Sequence, residues 1–285
     1  MSRVKIVTDS SVHLRPGVAS RLDISIVPQN IRLGGVTYRE GKDITSRDFL
    51  QSMGASGKMP TVSPPSVRSI AEQYLQLHGN HDQIVSLHVS SQLSDTVRVA
   101  WAAAQPLLGR CDIVVMDSLS ISLGLGMLVT AAAEAAADGA ELNDVIQLIR
   151  GMIPHVYMVF LVDALRYLER EQRVRPSQAV LGAMLGIKPL LTLEDGNLVT
   201  MEKVRTRALG VDKLVEFISE FAAVEQLAIA QSSFAEDTAL LLEGLESLFP
   251  DWDVPVFTYG PSLAARLGTG ALAVAIHEKA QDRYG

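Results

Sequence analysis

Short runs of aliphatic and β-branched residues alternate with helix-like stretches along almost the whole chain, and the first of these runs end in polar turns. Residues 4–9 (VKIVTD), 83–89 (QIVSLHV) and 112–116 (DIVVM) are apolar enough to be covered on both faces. All three end in hydroxyl- or acid-rich turns, and the second and third lead on into stretches of helical periodicity. That alternation leaves few architectures. It predicts an α/β protein with mainly parallel sheets, because strands joined through helices run the same way.

The spacing also predicts the smaller elements. Strands at 24–27 and 36–39 flank Leu33-Gly34-Gly35 and read as a hairpin, and a helix starts near Ser46. A Pro/Ser loop over 59–66 leads into a helix through Ile70, Tyr74 and Leu77, and the next helix carries Val97 and Trp101. An Ala-rich helix from about Ile121 and another over 143–152 close the first half. The pattern then resets with an apolar strand at 156–162 and a short charged helix at 165–172. Two strands around Glu194-Asp195-Gly196-Asn197 make a second hairpin. Helix 208–222, strand 226–230, helix 235–248, strand 254–258 and a short helix opening at Gly260-Pro261 follow. At 285 residues the chain has room for two α/β domains, an N-terminal one over 1–155 and a C-terminal one over 156–285.

Composition excludes several classes. A net charge of −7 lacks the basic surplus that general nucleic-acid or anionic-membrane binding requires. One cysteine, Cys111, rules out an internal disulfide and a Cys-built zinc site, which suits a reducing cytoplasm. The N-terminal residues read as a strand rather than a signal peptide, and 121–137 is too short and interrupted by Glu134 to span a bilayer. No nucleotide-binding glycine motif, nucleophile elbow or HExxH occurs; Gly124-Leu125-Gly126 and Gly268-Thr269-Gly270 lack the third glycine. His78 and His81, in a polar loop, read as solvated rather than metal-binding. Arg166, Arg170, Arg173 and Arg175, among Glu169 and Glu171, form either a solvated helix face or a docking surface.

The chemistry on offer is hydroxyls at strand ends. Thr8-Asp9-Ser10-Ser11, Ser90-Ser91-Gln92-Leu93-Ser94 and Asp117-Ser118 follow strands, and Pro60-Thr61-Val62-Ser63-Pro64-Pro65-Ser66 precedes a helix. Ligands of open α/β sheets bind beyond the carboxyl ends of the strands, where helix N-termini supply free N–H groups. These turns read either as ordinary helix caps or, together, as a receptor for a small anion. A serine attacks only when a base takes its proton; no histidine lies within these motifs and His88 stands two residues before Ser90, so binding is favoured over covalent chemistry.

These segments, with Asp163-Ala164-Leu165-Arg166-Tyr167-Leu168, Gly260-Pro261 and Gly268-Thr269-Gly270, stand in the order and spacing of a known family. From about residue 4 to 277 the chain resembles the DegV family of fatty-acid-binding proteins. The resemblance implies two α/β domains burying one long-chain fatty acid in a tunnel, with no cofactor and no catalysis of its own. Its carboxylate would be held by Thr61, Ser63, Ser90, Ser91 and Ser94, and presented to an ATP-dependent fatty-acid kinase. Arg170 and Arg173 fall in the region expected to touch that kinase, and Arg205 and Arg207 are weaker candidates. Leu123, Leu125, Met127, Met158, Phe160 and Met184 are candidate tunnel walls or simply core. The chain departs from the family pattern at Val62 and Pro64, which replace a Thr and a Gln, at Asp95, which replaces a Gly, and at Glu171-Gln172 before Arg173, where the family has Gly-Gly. Arg266 replaces a His, and its guanidinium could fork onto a carboxylate. The rival readings are a hydrolase or transferase acting on a small carboxylate through Ser91 or Ser94 with His88 as base, and an interaction protein whose lipid is only filling.

Overall fold

The computed structural model describes residues 4–78, 83–163, 186–232 and 235–279. A four-stranded sheet is built from β1 (Val4–Asp9), β2 (Ser25–Val27), β6 (Gln83–His88) and β7 (Asp112–Asp117) in the order β2-β1-β6-β7. Every pairing in it is parallel. Alternate residues serve opposite faces, as a pleated strand requires. Val7 and Ile84 pack with Ile70, Tyr74 and Ala100 under helices α3 (Val67–His78) and α4 (Thr96–Ala104). Ile6, Val85 and Leu87 pack on the other face against α5 (Ser122–Ala137) and α6 (Leu142–Met152).

A small antiparallel sheet stands beside it, in the order β4-β3-β5, from β3 (Asn30–Leu33), β4 (Val36–Arg39) and β5 (Thr61–Ser63). Gly34 and Gly35, at φ 61° and 94°, make the β3–β4 turn, a conformation that glycine adopts without penalty. The hairpin expected at 24–27 and 36–39 is therefore corrected: 36–39 pairs with 30–33, and 25–27 extends the parallel sheet. The loop expected at 59–66 contains a strand.

The second half forms a six-stranded sheet in the order β10-β9-β8-β13-β11-β12. Its strands are β8 (Val156–Leu161), β9 (Lys188–Glu194), β10 (Asn197–Val204), β11 (Val224–Gln231), β12 (Val256–Thr258) and β13 (Leu272–Glu278). Only β11 and β12 pair in parallel. The α/β class holds, but mainly parallel sheets describes the first sheet alone. Two causes are visible: β9 and β10 form a tight hairpin, and β13, absent from the sequence reading, inserts antiparallel between β8 and β11. Helices α7 (Arg207–Ser219) and α8 (Ala235–Glu246) cover one face of this sheet.

Helix α5 lies between the two large sheets, packing on β1 from one and on β8, β11 and β13 from the other. Residues 122–129 of it are all buried, as expected of a helix that is apolar all round. Gly126 permits this closeness, because a Cβ there would collide with the His13 carbonyl. Three further helices are the short α1 (Val18–Arg21), α2 (Ser46–Ser56) and α9 (Pro261–Leu267). His78 ends α3; His81, the 165–172 helix, the Arg166–Arg175 cluster with Arg170 and Arg173, and Met184 lie outside the described residues. No helix among the described residues is long and apolar enough to cross a membrane.

Candidate functional site

The carboxyl ends of β1, β6 and β7 carry Asp9, His88 and Asp117, and three turns are woven together above them. Ser90 N–H donates to the Ser120 carbonyl, Ser118 N–H to that of His88, and Ser122 N–H to that of Ser11. The turn after β7 takes Leu119 and Ser122 into the left-handed region, at φ 51° and 57°, which strains residues that carry a Cβ.

Asp9 clamps two of these turns. It accepts from Ser11 N–H at 3.0 Å, from the Ser11 hydroxyl, from Val89 N–H at 3.0 Å and from His88 Nδ1 at 3.0 Å. Burial opposes its charge, yet the bonds from His88, Ser11 and Val89 outweigh that and hold its pKa below the ordinary value. Tyr74 OH donates to Ser86 Oγ at 2.7 Å, and Ser86 Oγ lies 2.8 Å from His88 Nε2. Tyr74, Ser86, His88 and Asp9 thus form one continuous hydrogen-bonded chain. Ser86, His88 and Asp9 are wholly buried. Both ring nitrogens of His88 are thus engaged within the sheet, and neither serves Ser91 or Ser94. That removes the base the hydrolase reading called for.

The expected head-group residues divide into two groups. Ser90 is buried; its Oγ donates to the Gly196 carbonyl at 2.8 Å and accepts from Gln92 N–H, so it ties the turn to the β9–β10 hairpin. Ser91 is exposed, with its N–H on Asp117. Ser94 is half-buried, 2.7 Å from Thr96 Oγ1, which also accepts from Gln29 Nε2 at 2.9 Å. With Gln29 donating to Thr96, the Thr96 proton can go to Ser94, which leaves the Ser94 O–H to donate elsewhere. Thr61 and Ser63 are exposed on β5, against which α9 packs. Arg266, on α9, is buried and donates to the Leu93 carbonyl at 2.6 Å and the Ser262 carbonyl at 2.8 Å. Helix α9 therefore joins β5 to the 90–94 turn. Asp95 does not face this site: it pairs with Arg98 at 3.1 Å on the exposed side of α4.

Sequence reasoning missed three participants. Glu40 is buried and accepts from Ser10 Oγ at 2.7 Å, Ser262 N–H at 2.8 Å and Ser262 Oγ at 2.5 Å. Burial raises its pKa to about 7, with Asp9 adding to the rise, against the pull of Ser262 and Ser10. Ser120 Oγ is buried with no hydrogen-bond partner among the described residues, and it faces Gly124 beside Met158. Ser262 follows the Gly260-Pro261 pair that the sequence marks only as a helix start. Of two cavities, both lined by His13, the one of about 320 Å³ reaches Ser10 and Glu40, the one of about 580 Å³ lies further off, and neither is lined by Thr61, Ser63, Ser90, Ser91, Ser94 or Arg266. Leu123 and Met127 line the larger; Leu125, Met158 and Phe160 are closed in the core. Among the described residues no group of three or more His, Cys, Asp or Glu is placed to hold a metal.

The fold and site define an α/β protein of two large sheets and one small one, which gathers hydroxyls and a buried guanidinium where a parallel sheet meets a helix from the second half. The chain belongs to the DegV family: it matches the family described as "Uncharacterised protein, DegV family" over residues 3–279. It is 31% identical over 277 residues to a DegV domain-containing protein of Deinococcus radiodurans, covering 96% of this chain and 98% of that one. A DegV family protein from Thermus thermophilus, described for its fatty acid binding, superposes with a TM-score of 0.84 at 28% identity, over 97% of this chain and 100% of that one. DegV of Bacillus subtilis, described as a fatty acid binding protein, gives 0.86 at 26% identity, over 98% and 100%.

Proposed function

We propose that this chain binds a long-chain fatty acid and presents its carboxylate to an ATP-dependent kinase that makes the acyl phosphate. The observation that carries the reading is the juxtaposition of Ser94 with Arg266, which donates to the carbonyl of the neighbouring Leu93. Ser94, Ser91, Thr61 and Ser63 supply donors, Arg266 supplies positive charge, and Ser90 holds the turn in place. The unpaired Ser120 hydroxyl supports the same reading, because an unsatisfied buried hydroxyl costs about 1–3 kcal/mol and a ligand can relieve it.

The acyl chain provides most of the affinity. Each buried methylene contributes about 0.8 kcal/mol, so a dozen contribute on the order of 10 kcal/mol before entropy costs. The head group then needs only orientation and neutralisation. No cofactor enters this scheme, the protein itself performs no chemistry, and the cytoplasm is where an ATP-dependent partner would meet it. The division near residue 155 belongs to the same reading, with α5 as the element the two halves share. Arg170 and Arg173 are assigned to kinase docking.

The test is mass spectrometry of the organic extract from purified, denatured protein. One long-chain fatty acid near one equivalent is expected; an empty extract, or a polar metabolite in its place, overturns the proposal. For the partner, charge reversal at Arg170 and Arg173 should lower phosphorylation per bound lipid and leave lipid affinity unchanged. Weakened lipid binding with normal phosphorylation would count against that assignment.

A further inference from the structure

Helix α9 is held at both ends by residues from the first half of the chain. At its start Ser262 gives Glu40 its N–H and its hydroxyl, and Gly260 lies so close that a Cβ would sit 3.0 Å from Glu40 Oε1. One turn later Arg266 donates to the Leu93 carbonyl. Glu40 is in turn fixed by Ser10, which accepts from Gln29 N–H at 2.8 Å, and Gln29 also bonds Thr96 beside Ser94.

We propose that Glu40 is a positioning residue: its bonds to Ser262 hold α9, and with it Arg266, against the 90–94 turn, and opening α9 frees the carboxylate from the burial that opposes its charge. The inference rests on the reading of Ser94 and Arg266 as the head-group seat. The geometry supplies what such a device needs. The carboxylate sits at the contact between the two halves, and the cavity of about 320 Å³ lined by Ser10, His13, Glu40, Lys42, Gly260 and Pro261 gives protons a path to it.

The charged and titratable groups around Glu40 come from each neighbouring element. Asp9 at the end of β1 repels a second negative charge. Lys42, on the turn after β4, lines the same cavity. His13, after β1, lines it too and is held neutral by burial, which lowers its pKa to about 4. Arg266 lies one turn along α9, and Arg39 and Asp43 pair with each other at 2.8 Å on the exposed side. Burial and Asp9 prevail, so Glu40 takes up its charge near pH 7 rather than at the ordinary 4.5. Opening α9 returns Glu40 to its ordinary value. Opening is therefore least favourable below pH 4.5 and grows as pH rises towards about 7, levelling off above it.

Hydrogen exchange of the α9 amides in the full chain between pH 5 and 8, expressed as protection factors, tests this without any ligand. Wild-type protection should fall by up to about tenfold per pH unit between pH 5 and 7 and then level off. Glu40→Gln, which imitates the protonated acid, should show no such slope. Ser262→Ala removes a bond that favours the charged carboxylate, so its levelling-off should move to higher pH. A slope in Glu40→Gln equal to that of wild type, or a flat wild-type profile, would overturn the proposal; if Glu40→Gln does not fold, an unshifted Ser262→Ala profile does so. The dissociation rate of a bound fatty acid should follow the same window. Protection that follows the window in a protein that binds no fatty acid leaves the positioning role standing and defeats the binding reading instead.

Discussion

Asp9 and Glu40 are both buried carboxylates, linked through Ser10, and burial acts on them with opposite outcomes. Asp9 receives four donors, one of them a histidine locked by Ser86 and Tyr74, and its pKa is lowered. Glu40 receives three donors, two of them hydroxyls, and has Asp9 as a neighbour; its pKa is raised. Depth of burial does not set the charge of a buried acid; the donors and charges it faces do. The first cluster lies inside one sheet and is built to stay as it is. The second spans two halves of the chain and can respond.

The largest test of this contrast is Asp9→Ala. It leaves His88 and the Val89 N–H without their acceptor, and unfolding by urea should show a loss of about 3–5 kcal/mol. A loss below about 1 kcal/mol would erase the contrast. Next comes the pH dependence of wild-type stability. The Asp9 contribution is present above its ordinary 3.8 and is lost as pH falls further, because its folded pKa is lowered. The Glu40 contribution is present below 4.5 and is lost as pH rises to about 7, because its folded pKa is raised. Each limb should have a slope of up to about 1.4 kcal/mol per pH unit, and Glu40→Gln should lack the neutral limb while keeping the acid one. Tyr74→Phe should cost about 1 kcal/mol and leave fatty-acid affinity unchanged, since the Asp9 clamp on Val89 survives. Asp95→Ala should change fatty-acid affinity least of all, because its carboxylate faces Arg98; a clear gain in affinity would mean that Asp95 repels the head group after all.

Of the parallel sheet, β1 and β6 were legible because they are buried on both faces, whereas β2, with only Val27 of its three residues buried, read as half of a hairpin. The second sheet was legible only in part. β13 has the sequence LAVAIHE, whose small residues carry no strong strand signal, and its place between β8 and β11 is decided by long-range pairing. The hydroxyl turns were visible as motifs, and the structure brings Ser94 and Arg266 within one carbonyl of each other. Glu40 was not visible: in the Arg39-Glu40-Gly41 turn it reads as a solvated acid, and only tertiary contact with Ser262, 222 residues away, buries it. Ser90 looked equivalent to Ser91 and Ser94, and the Gly196 carbonyl that claims its hydroxyl belongs to a hairpin more than 100 residues downstream.

The position of β13 has a consequence for how the protein is made. The ribosome releases β8, β9 and β11 before the strand that separates β8 from β11, so the second sheet has a vacant middle throughout that interval. Helix α5 is already complete by then, with an apolar side awaiting cover. During synthesis the first sheet can settle early, while the second must wait for a late arrival; a nascent chain stalled before residue 272 would be a client for chaperones rather than half a finished protein.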